Sequence, residues 1–83
     1  MKERSFQIYQ VLKNRQMFLQ SKVSELDEDN LRHRQQLLKL NSESDQLFED
    51  IAELTRSDLQ LGHFVPLHEL IPRLEVKYHH LLN

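Results

Sequence analysis

Leucine recurs along this chain at a spacing of seven. Leu12, Leu19, Leu26, Leu40, Leu47, Leu54 and Leu61 keep one count, and His33 stands at the single position where the leucine is missing. With that position labelled d of a heptad, position a holds Tyr9, Gln16, Val23, Asn30, Leu37, Ser44, Ile51 and Asp58, apolar and polar by turns. Apolar side chains at intervals of three and four line one face of an α-helix, and that face needs a second helix to cover it. The pattern predicts an all-α fold built on a long amphipathic helix over about residues 3–61, in antiparallel coiled-coil or bundle packing. A straight rod of ~50 residues reaches about 75 Å.

Gly62, one residue past the last d leucine, predicts the helix end, and residues 62–66 a corner. Beyond Pro66, which suits the first turn of a helix, Leu67, Leu70, Ile71, Leu74, Tyr78 and Leu81 return to helical spacing. They predict a C-terminal helical segment over about 66–82, kinked or broken at Pro72. Leu31, Leu38, Phe48, Ala52 and Leu59 widen the stripe beyond a and d, so the tail is expected to fold back onto residues 31–61. The whole chain reads as a single helical domain.

Charge selects the direction of the covering helix. Residues 2–22 carry Lys2, Arg4, Lys13, Arg15 and Lys22 against Glu3, whereas residues 41–61 carry six carboxylates against Arg56. Antiparallel packing lays the basic arm along the acidic one. Pairing a layers with d layers about a centre near residues 31 and 32 sets Tyr9 by Leu54, Leu12 by Ile51, Val23 by Leu40 and Leu26 by Leu37. Asn30 and His33 then share the central polar layer, a candidate pH-sensitive contact. The flanking charges fall as Arg15 with Asp50, Lys22 with Glu43, and Asp27 with Arg34.

The same contacts arise in two ways, and the stretch SELDEDNLRHR at 24–34 decides between them. Two straight helices crossing head to tail make an antiparallel homodimer; a chain turning near 27–32 makes a helical hairpin with the tail as third helix. Asp27, Asp29 and Asn30 are good helix-start residues, which favours turning. The leucine count runs through the stretch without a slip, and on that ground the straight helix and the homodimer are the preferred reading, with the hairpin as the alternative.

Composition narrows the function. The chain has 83 residues, one glycine, no cysteine and a formal charge of -2, so it carries no disulfide framework or thiolate chemistry. Its apolar runs are too short for a membrane span, and a cytoplasmic location is expected. His63, His68 and Glu69, or Glu75 and His79, match no metal-ligand spacing, and no catalytic, cofactor-binding or metal residue is assigned. Carboxylate pairs such as Glu49 with Asp50 lack the enclosed pocket that acid–base catalysis needs on a thin helical rod. The expectation is a non-enzymatic protein–protein interaction module, a scaffold, adaptor, small chaperone or inhibitor that self-associates and binds another protein. The alternative is a nucleic-acid-binding bundle using the basic N-terminal arm.

Overall fold

The computed structural model describes residues 3–83, so Lys2 of the basic arm lies outside it. The chain is all-α, with α1 at Glu3–Ser24, α2 at Leu31–Leu59, α3 at Leu67–Lys77 and a last turn, α4, at His79–Leu82. α1 and α2 pack against each other within the chain, and α3 packs on both. The straight 3–61 helix is therefore not what forms: the chain takes the hairpin, and residues 25–30 are its turn.

The turn is built from the polar residues of SELDEDNLRHR. Asn30 leaves the helical region (φ -91, ψ 122), and its side-chain oxygen accepts the His33 N–H at 3.1 Å, capping α2. Asp27 Oδ1 accepts the Asp29 N–H at 3.0 Å, and the Asp27 N–H donates to His33 Nδ1 at 3.0 Å, tying the loop to the first turn of α2. Asn30 and His33 thus serve as a cap and a loop anchor, with Asn30 exposed, rather than as a buried layer between two chains. The unbroken leucine count has a simple origin. α2 begins at residue 31, seven after the last residue of α1, so heptad labels carry across the loop although the chain has reversed.

One core holds the three longer helices together: Ile8, Leu12 and Leu19 from α1, Leu47, Ile51 and Leu54 from α2, and Leu70 and Leu74 from α3, with Tyr78 behind them. Each such aliphatic side chain contributes about 1.5–3 kcal/mol on burial, whereas an exposed ion pair contributes ~0–1 kcal/mol. Burial sets the stability, and charge only the alignment.

The corner after α2 differs in detail from the glycine cap. α2 ends at Leu59 with Gln60, not Gly62, in the left-handed region (φ 55, ψ 46). The Gln60 N–H donates to Ser57 O at 3.4 Å and the Leu61 N–H to Arg56 O at 3.0 Å, the paired closure of a Schellman motif. Gly62 takes a second positive φ of 58 two residues later and turns the chain toward the tail. The buried Ser57 hydroxyl donates to Val65 O, and Pro66 caps α3 by its carbonyl, which accepts from Leu70 N at 2.9 Å. α3 runs through Pro72; the break falls at Tyr78 instead. Proline removes one backbone donor from the ladder, and the packing of Leu70 and Leu74 on either side holds the helix in place.

Candidate protein-interaction site

Three side chains lock the tail to the hairpin. Asp50, buried on α2, receives the Tyr78 hydroxyl, the Lys77 ammonium at 2.7 Å and the Gln46 amide at 3.4 Å, all on Oδ2. Burial pushes the Tyr78 phenol far above its ordinary value, and the hydrogen bond to Asp50 adds to the shift. Lys77 also lies 5.6 Å from the Tyr78 ring centroid, so its charge is shared between carboxylate and ring face. Arg4 reaches Glu75 at 2.8 Å from the other side. Asp50 is thus a clasp within the chain, not the partner of Arg15.

Arg15 instead grips Glu43 with two hydrogen bonds, Nε to Oε2 at 2.7 Å and Nη2 to Oε1 at 3.1 Å. That bond holds the guanidinium pKa above its ordinary value. Glu43 lies one heptad before Asp50, and the reason is the turn. Moving the centre of a hairpin toward the N-terminus shifts every cross-helix partner by twice the displacement. The other predicted charge pairs go with it. Lys22 meets Glu25 on its own helix end at 3.8 Å, and Asp27 meets the His33 ring while Arg34 stays exposed.

The residues assigned to a helix–helix seam separate into two groups by burial. Leu12, Leu19, Leu47, Ile51 and Leu54 are buried and Tyr9 is half-buried. Val23, Leu26, His33, Leu37 and Leu40 are only half-buried. From residue 20 to residue 46, both sides of the turn, no side chain is buried. Leu61, expected in the seam, lies past the end of α2 and is 53 % exposed. Three buried residues escaped the heptad reading of the seam: Ser5, Ile8 and Ser57. Ile8 and Ser57 occupy g positions, as Asp50 does, and the tail covers that flank; Ser5 continues the d ladder one step below Leu12 under a polar side chain.

The tail does fold back, but not onto the residues that widened the stripe. Leu31, Leu38, Phe48 and Leu59 are 58–73 % exposed, and Ala52 is half-buried. These positions are b and e, on the flank away from the clasp. Phe6, Met17 and Phe18 on α1 are exposed as well. Arg15 and Lys22 stand 5.1 and 5.4 Å from the Phe18 ring centroid. Beside Phe18 an open groove of about 460 Å³ runs between the helices near the turn, floored by Leu26 and Leu40 and edged by Lys22, Glu25, Gln36 and Lys39.

Among the described residues, no group of three or more His, Cys, Asp or Glu side chains converges as metal ligands, and no helix is long and apolar enough to cross a membrane. Comparison with protein-family models, curated protein sequences and solved structures gives no match for this chain.

Proposed function

We propose that the chain is a non-enzymatic helical module for protein–protein interaction, a scaffold, adaptor, small chaperone or inhibitor that works by self-association and by binding a partner protein in the cytoplasm. The observation that carries this reading is the hairpin arm of residues 20–46, apolar along its seam yet without one buried side chain. Half-covered leucines at helical spacing are a surface that gains about 25 cal/mol for each Å² of apolar area a further helix removes from water. The clasp at Asp50 anchors the base, so the arm is presented on a fixed frame.

Nucleic-acid binding finds less support. Two of the basic residues of α1, Arg4 and Arg15, are committed to Glu75 and Glu43. Lys13 leans toward the Tyr9 ring, 6.0 Å from its centroid, on the opposite flank of the helix from Arg15. Phosphate contacts would have to compete with these pairs.

The test uses the tagged full chain, purified from the cells that make it. Each co-purifying component is then remixed with the chain as a pure reagent at two salt concentrations. The expected result is a defined protein that binds in a fixed ratio and is weakened by a charge placed at Leu38 or Phe48. A steeply salt-dependent shift of RNA or DNA, with no protein bound, contradicts it.

A further inference from the structure

The arm carries an acidic tip with a basic band behind it. Its loop carries Glu25, Asp27, Glu28 and Asp29, and the helices just behind the loop carry Lys22, Arg32, Arg34 and Lys39. With Glu43 and Asp45 at its base, residues 20–46 carry six carboxylates against four cations, so the arm is acidic at the loop, basic just behind it, and acidic again where Arg15 takes up Glu43. The groove that opens between its helices combines an apolar floor of Leu26 and Leu40 with Phe18, Lys39 and the Lys22–Glu25 pair at its edge. Such a groove fits a helical segment that is apolar along one side and acidic at one end. The arm itself meets that description.

We infer that the groove beside Phe18 is the docking site of a second copy of this chain, whose arm lies antiparallel in it and completes the bundle that α3 completes lower down. The inference rests on the interaction-module reading and names one occupant for it. Under a twofold axis midway between the loop and Lys39, the acidic loop of each copy lies against Lys39 and Lys22 of the other, and the half-buried Leu26 of each copy faces Leu40 of its partner. Parallel, side-by-side packing stacks loop on loop, carboxylate on carboxylate, and is repelled. The third-helix position explains why the arm is uncovered in one chain. Tyr78, at the end of α3, meets α2 at Asp50, and the groove, lined by Phe18, Lys22, Leu26 and Leu40 among others, has no α3 or α4 residue in its lining. One face of a 27-residue arm offers less than the roughly 20–30 residues per side of a standard interface, which is the size of a weak, concentration-dependent association.

The experiment is sedimentation equilibrium of the full chain from about 5 µM to about 500 µM, read with five variants. The unmodified chain is expected to pass from 10.0 kDa to twice that mass. Lys39→Glu and Glu28→Lys, both at exposed positions, are each expected to weaken association about tenfold. The chain carrying both changes is expected to regain it, because each copy again meets an opposite charge; a folding defect would not be rescued in this way. Phe18→Asp, at the groove edge, is expected to abolish the dimer with helicity by circular dichroism unchanged. A dimer indifferent to all of these but lost on Phe48→Asp overturns the arm inference while leaving self-association standing. A constant 10.0 kDa overturns the inference and the self-association half of the proposed function together, and the partner-binding half is judged by the remixing test alone.

Discussion

Removing one oxygen from the clasp tests how the tail is held. In Tyr78→Phe the ring still packs in the core, and only the hydroxyl that donates to Asp50 is lost. A hydrogen bond to a charged acceptor is worth about 1.5–3 kcal/mol, and removing the donor costs most when the buried acceptor is left with no other partner. Asp50 keeps Lys77 at 2.7 Å and Gln46 at 3.4 Å, so the carboxylate is not stranded and the low end applies, about 1.5 kcal/mol. The Lys77 pair cannot make up the loss, because that side chain is 42 % exposed and its attraction is screened by water. Against a total stability of roughly 4–12 kcal/mol for a chain of this size, the change is large. Urea unfolding followed by circular dichroism reads it directly: with a slope near 1 kcal/mol per molar, the midpoint falls by about 1.5 M. The pH dependence has a fixed sign. Folding raises the Tyr78 pKa above its ordinary value near 10, so the stability it brings is fully present below about pH 10 and is lost as pH rises beyond. The advantage of the unmodified chain over Tyr78→Phe is thus constant at neutral pH and shrinks in alkali. A loss below about 0.5 kcal/mol at pH 7, or an advantage that widens above pH 10, refutes the clasp.

Gln60→Gly relieves a left-handed backbone position at an exposed residue, and urea midpoints should show a gain of about 0.5–1 kcal/mol. Asn30→Ala removes the cap of α2 and should cost about 1 kcal/mol, with faster amide exchange at His33 and the loop residues before it. Truncation along the seam should be graded: Leu19→Ala costs about 2–4 kcal/mol, because the side chain is fully buried, whereas Leu37→Ala in the arm costs about half as much or less at concentrations where the chain is a monomer. Equal costs at the two sites, measured by chemical unfolding, would remove the distinction between the buried and half-buried positions of the seam.

What is legible in the sequence follows from what each signal physically reports. Heptad spacing reports that a helix face is buried, and the buried Leu12, Leu19, Leu47, Ile51 and Leu54 bear that out. It does not report whether the covering helix is the same chain, since hairpin and crossed dimer bury the same positions. The turn is written in Asp27 and Asn30, whose side-chain oxygens accept the backbone N–H groups of Asp29 in the loop and His33 in the cap. The unbroken leucine count is no evidence against it, because a loop that returns after seven residues preserves the labels by arithmetic alone. With the turn displaced, the charge register moves too, and Arg15 finds Glu43 one heptad before Asp50. Asp50 is then free to take a role that spacing does not reveal: its partners Lys77 and Tyr78 are 27 and 28 residues away, across the corner. The burial of Ile8 and Ser57 at g positions is hidden for the same reason, since only the path of the tail marks that flank as inside. The left-handed Gln60 escapes notice because glycine is the usual signal for that conformation, and the nearest glycine stands two residues later.

Folding back at residues 25–30 is what fixes both the clasped base and the uncovered arm. Spin labels at the exposed positions Asn14 and Asp45, measured by pulsed dipolar spectroscopy in doubly labelled chains diluted with excess unlabelled protein, test that directly. Adjacent antiparallel helices predict a single distance below about 30 Å that dilution leaves unchanged. A separation of about 46 Å, as 31 residues of unbroken helix would give, would contradict it.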